Sequence, residues 1–132
     1  MYYFAYASNL NRKQMAVRAP DSKPKFIATL PNFKLIFAAS QNRGNGVATI
    51  RPFKGEKVTG AVYEISDSDL KRLDRYEGYP ITYDRRKVLV FTETNDPVEA
   101  ITYIKNDQSQ LAPPPKEYME TIKQGYRDWQ ID

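Results

Sequence analysis

Neither cysteine nor histidine occurs among the 132 residues. Their joint absence removes disulfide staples, thiolate nucleophiles, histidine general bases and the usual zinc ligand sets. Acid–base chemistry in this chain has to come from carboxylates, lysines or tyrosines. Long apolar runs are missing as well, and nothing approaches the roughly 18 consecutive apolar residues of a membrane span. The opening MYYFAYASN has neither the basic region nor the apolar region of a secretory leader. Charge of one sign is not in large excess, since twenty Lys plus Arg stand against sixteen Asp plus Glu for a formal net charge of +4. The basic residues are scattered, and the densest group, Arg85-Arg86-Lys87, enters an expected strand. No nucleic-acid partner and no membrane is therefore expected. A cytoplasmic location is the expectation, one that the lack of cysteine fits without requiring.

What remains is an ordinary globular composition, 41% hydrophobic and 27% charged, sized for one domain over residues 1–132 with a single core. Tyr2 to Tyr6 reads as a strand, and Ser8-Asn9 as a turn or cap ahead of a helix from Leu10 to Val17. Pro20 and Pro24 bracket a loop. Phe26 to Leu30 and Phe33 to Ser40 read as two strands parted by a Pro31-Asn32 turn. Gln41 to Gly46 is polar and turn-competent, Val47 to Arg51 extended, and Pro52 to Lys57 a second turn. Val58 to Ile65 follows as a strand whose Gly60 predicts a bulge or a close backbone approach.

Ser66, with Asp69 three residues on, opens a helix that Leu70, Leu73 and Tyr76 stripe, that Gly78 ends and that Pro80 keeps from resuming. Strands over Tyr83 to Thr92 and Glu99 to Ile104 come next. Pro113-Pro114-Pro115 then leads into a helix from Lys116 to about Arg127, with Tyr118, Met119, Ile122 and Tyr126 on its apolar face. Five to seven strands with two or three short helices predict an α+β fold, a small mixed, partly closed β-barrel with peripheral helices.

Among the carboxylates, Glu77 stands apart. It lies between Tyr76 and Gly78 where a helix gives way to a strand, so the negative helix end and aromatic crowding both disfavour its ionisation. Such a carboxyl suits a general base near neutral pH. The plain alternative is a surface residue at a helix end. Asp74, at i,i+3 from Glu77, is a second candidate that a neighbouring cation or amide would equally hold in a structural role. Successive N–H groups from Ala7 to Leu10, with the side chains of Ser8 and Asn9, form either a small anion-binding nest or a simple helix cap. No phosphate-binding loop, dinucleotide glycine pattern, catalytic triad or metal cluster is present in the sequence.

Tyr6-Ala7-Ser8-Asn9-Leu10 resembles the Tyr-Gly-Ser-Asn-Leu opening motif of the gamma-glutamylcyclotransferase family. Asn45 to Ile50, Val58 to Tyr63, Leu73 to Gly78, Ala112 to Tyr118 and Ile122 to Gly125 resemble its later segments in the same order. The resemblance implies a small barrel with flanking helices and a cavity for a gamma-glutamyl group. It implies Glu77 as the catalytic glutamate, Tyr6, Ala7, Ser8, Asn9 and Leu10 as the grip on the glutamyl end, and Tyr83, Tyr103 and Tyr118 as further substrate-binding residues. The implied activity releases 5-oxoproline and a free amine or amino acid from a small-molecule gamma-glutamyl substrate, with no metal and no cofactor. A homodimer is left open. Ala7 departs from the motif's glycine, whose presence would reflect either a positive φ or a close ligand approach. That departure motivates a second reading, an idle binding or regulatory protein on the same fold. A nucleic-acid-associated β-domain is the third.

Overall fold

The computed structural model describes residues 1–40 and 45–132. Most of the polar stretch Gln41 to Gly46 that the sequence marks as a turn, namely residues 41–44, lies outside them. The elements run β1 (Tyr2–Ala5), a 3-10 turn (Ser8–Leu10), α1 (Arg12–Arg18), β2 (Lys23–Ala39), β3 (Gly46–Glu64), α2 (Asp67–Glu77), β4 (Tyr83–Thr92), β5 (Pro97–Lys105) and α3 (Lys116–Trp129). The five strands close into a barrel in the order β1-β3-β2-β4-β5. The seam is a parallel contact of β1 with β5, at Tyr3 opposite Ile101. Expected as partly closed, the barrel is closed.

The alternation of β1 places its side chains in two apolar clusters, as a period of two requires. Phe4 packs with Val62, Val90 and Ile122 in one, while Tyr3 and Ala5 pack with Leu10, Met15, Leu73 and Trp129 in the other. Phe4, Leu10, Met15 and Leu73 have no exposed surface, so each contributes about 1.5–3 kcal/mol of burial. Gly60 needs its missing side chain for packing rather than for a bulge. A Cβ there would stand 2.2 Å from the Ala5 carbonyl oxygen, so the glycine is what lets β3 lie against β1.

Several boundaries differ from the sequence reading, and Pro24, expected to bracket a loop, already lies in β2 opposite Tyr63. The expected Leu10–Val17 helix begins at Arg12 and is capped by Asn11, whose side-chain oxygen accepts from the Gln14 N–H at 3.0 Å. The expected strands on either side of Pro31-Asn32 are one strand. Proline and the positive φ of Asn32, 62°, are absorbed at a register irregularity between Pro31 and Phe33. The Pro52–Lys57 turn is an excursion within β3, because Pro31 pairs with Lys57 and Phe33 with Pro52. The Asn32 side chain accepts from the Gly55 N–H at 3.1 Å across it.

Helix α2 forms as its ends dictate. Ser66 and Asp69 make a reciprocal capping box, and Gly78 ends the helix at φ 67°, ψ 37°. The chain turns back there with Glu77 as the last helical residue.

Candidate active site

A cavity between the end of α2, the 3-10 turn and the barrel mouth holds about 340 Å³ of atom-free space, its open mouth included. It is lined by Tyr6 and Ala7 between β1 and the turn, Ser8 and Asn9 from the turn, Glu77 from α2, and Tyr83, Tyr103 and Tyr118 from β4, β5 and α3. Eight of the nine residues that the family resemblance implies thus surround one space. Leu10 does not. Its side chain is wholly buried, its N–H donates to the Ala7 carbonyl at 3.0 Å, and its carbonyl accepts from the Trp129 indole N–H at 2.9 Å. The nest imagined from Ala7 to Leu10 is shorter by that amide.

The turn is held from behind. Tyr63 donates to the Asn9 carbonyl at 2.8 Å, and Gly125 of α3 lies against Leu10 and Asn11. The Asn9 side chain is spent within the protein. Its oxygen accepts from Gln14 at 3.2 Å and Arg18 at 3.1 Å, and its NH₂ donates to the Tyr3 hydroxyl at 3.0 Å. Asn9 therefore orients Tyr3. Tyr3 itself lines the cavity, yet the sequence reading passed over it as a strand residue. Its signal was the alternation of β1, which sends Tyr3 toward the helices and the cavity. Ala48 lines the cavity too, and nothing in its residue type marks it.

The tyrosine hydroxyls divide by what they already do. Tyr6 donates to the Tyr103 carbonyl at 2.6 Å, and Tyr83 donates to the Ala48 carbonyl at 2.9 Å. Tyr103 donates to Asp74 at 2.6 Å, and Arg85 pairs with the other oxygen of the same carboxylate. Asp74 is thus held structurally, by Arg85 and Tyr103. The Tyr118 oxygen accepts from the Ala48 N–H at 3.0 Å, which leaves its own proton for another acceptor. Burial pushes the phenols of Tyr3, Tyr6, Tyr83, Tyr103 and Tyr118 above their ordinary range, so all five remain neutral donors near neutral pH.

Glu77 is the carboxyl in this tyrosine-lined space. Burial raises its pKa to about 7, against the opposing pull of the Arg18 guanidinium. Near neutral pH it exchanges between its acid and base forms, which is the property a proton shuttle requires. Among the described residues no group of three or more Asp or Glu side chains is arranged to hold a metal ion.

Ala7 has φ −142°, so its backbone does not call for glycine's left-handed freedom. Of the two explanations for the motif's glycine, close ligand approach is the one that fits a residue lining the cavity. Ala7→Gly is expected to lower KM for a ligand gripped by the turn, by about 2- to 10-fold, with kcat changed less. Steady-state kinetics check this, and an unchanged KM would remove the Ala7 methyl from the cavity's steric limits.

Residues 3–130 match the model of the family described as gamma-glutamyl cyclotransferase, AIG2-like. The gamma-glutamylcyclotransferase of Homo sapiens is 32% identical over 132 aligned residues, covering 96% of this chain and 70% of that protein. The gamma-glutamylcyclotransferase of Bos taurus is 30% identical with the same coverage. A solved structure titled gamma-glutamyl cyclotransferase superposes with a TM-score of 0.90 at 30% identity, covering 98% of this chain and 79% of the other.

Proposed function

This chain belongs to the gamma-glutamyl cyclotransferase, AIG2-like family, and from that premise we propose that it cyclises a gamma-glutamyl amino acid or gamma-glutamyl amine to 5-oxoproline and a free amine. The observation that carries the reading is the placement of Glu77, with its raised pKa, in the same cavity as the turn from Tyr6 to Asn9.

The substrate brings its own nucleophile. Its alpha-amino nitrogen lies four bonds from the gamma-carbonyl carbon, so a cavity that holds the chain curled converts attack into a favoured ring closure. That nitrogen arrives mostly as an ammonium ion, which cannot attack. The Glu77 carboxylate takes one of its protons, the freed amine attacks the carbonyl, and a C–N bond forms. The ring nitrogen then gives up a second proton, the original amide C–N bond breaks, and the leaving nitrogen gains two protons to depart as an ammonium ion. Glu77 ends as it began. The hydroxyls of Tyr6, Tyr83 and Tyr103 already donate within the protein, whereas Tyr118 has a proton to offer the developing oxyanion. Every proton moves between substrate and carboxyl, so no step in this scheme calls on a metal or a cofactor.

The test is release of 5-oxoproline from a panel of gamma-glutamyl amino acids, glutathione and gamma-glutamylamines. Turnover of at least one member is the expected result. Binding across the panel with no 5-oxoproline would instead favour an idle binding protein on this fold.

A further inference from the structure

Lys105, the last residue of β5, is only 4% exposed. A buried ammonium is costly unless charge or hydrogen bonds compensate it. Among the described residues its Nζ donates to the Asp107 carbonyl at 2.8 Å, and it makes no ion pair. An ammonium has three donors, so two are left over. The second cation at this place is Arg51 of β3. Its Nε is buried and finds no hydrogen-bond partner among the described residues.

Lys105, which also borders the neighbouring recess that Asp107 lines, and Arg51 both line one surface recess with Arg86, Asn106 and Gln108. Among the described residues no carboxylate lines it. Of the acids nearby, Asp107 is close enough to feel the Lys105 charge but makes no ion pair with it among the described residues. Asp84 accepts from Arg86 Nε at 3.1 Å, and the exposed carboxyl of Asp107 accepts from the Ser109 hydroxyl at 2.6 Å. The frame behind the recess is built by side-chain amides. Gln108 donates to the carbonyls of Ile50 and Lys105, at 3.0 and 3.1 Å, and Asn106 donates to those of Pro80 and Ile81, both at 2.8 Å. None of these groups belongs to the cavity of Glu77.

We propose that this recess is a second ligand site, which takes a small oxyanion, a phosphate or carboxylate group, between Lys105 and Arg51. The ligand supplies the acceptors that both side chains lack: one oxygen on the ammonium, and a second on the guanidinium after a small turn of its plane. Arg86, exposed and paired with Asp84, closes the outer edge. The site stands whether or not the chain turns over gamma-glutamyl compounds, because it uses none of the same residues.

Thermal unfolding of the whole chain with inorganic phosphate, with malonate and with sodium chloride at matched ionic strength tests it. A saturable rise in Tm with phosphate or malonate but not chloride is expected, and which anion acts distinguishes the two chemistries. Lys105→Met should weaken that response at least about tenfold, the loss of one charge-assisted contact. Without anion the same variant should match or exceed the wild-type Tm, because it removes a buried charge that makes no ion pair. Arg51→Met should weaken the response similarly and serves if the first variant folds poorly. Equal Tm values in all three salts would overturn the proposal. So would an undiminished anion response in both variants.

Discussion

Glu77→Gln should retain the fold and bind gamma-glutamyl ligands, yet release 5-oxoproline about 100-fold more slowly or worse, the usual scale of general acid–base catalysis. The amide keeps the shape and polarity of the side chain and loses only the ability to carry a proton. The same substitution carries a stability signature of known sign. The folded carboxyl titrates at about 7, above the ordinary 4.5, because burial disfavours its charge. The folded chain therefore holds its proton more tightly than the unfolded chain, and stability falls as pH rises through that interval. Glutamine has no charge to bury. Its advantage should be absent at about pH 4 and reach on the order of 1–3 kcal/mol at about pH 8. Denaturant unfolding at the two pH values measures this. A variant that is less active and also less stable at the higher pH would instead mark Glu77 as a structural residue.

Gly125→Ala should destabilise the protein and slow turnover together. In a solvated helix the change normally adds about 1 kcal/mol of stability, since alanine is the better helix former. Here the new Cβ would meet the Asn11 nitrogen and the Leu10 Cβ, both at 2.6 Å. Backbone cannot yield as a flexible side chain does, so α3 or the 3-10 turn must shift. A net loss of about 1–3 kcal/mol is expected, which a fall in Tm of about 4 °C or more would register. The turn that moves also carries Ser8 and Asn9 into the cavity. A displacement of about 1 Å there is enough to cost up to 100-fold in rate. A stabilised, fully active variant would show that α3 does not set the position of the turn.

The parts of this molecule that were legible in the sequence are those whose physics is local. Ser66 with Asp69 and the glycine at 78 bound α2 because capping and left-handed termination act within a few residues. The position of Glu77 beside its cavity follows from that ending. Where the sequence misled, pairing between distant strands had overridden a local signal. Pro31 and Pro52 look like turn residues, yet β2 and β3 continue past both because the ladder on either side is long. Asn9 looked like a helix cap, and although it lines the cavity it is not the cap. Its oxygen serves Gln14 and Arg18, one and two turns along α1, and the real cap is Asn11. Likewise Leu10 carries part of the family motif because it anchors the turn in the core and against Gly125, away from the cavity. The family resemblance supplied Tyr83, Tyr103 and Tyr118, which no periodicity singles out among ten tyrosines.

The pH dependence of kcat/KM for 5-oxoproline formation tests the proton-shuttle account most directly. With Glu77 as the base, the rate should fall tenfold per unit below an apparent pKa of about 7, the value at which its buried carboxyl titrates. A rate that stays flat down to about pH 5, where that carboxyl would be almost wholly protonated, would contradict it.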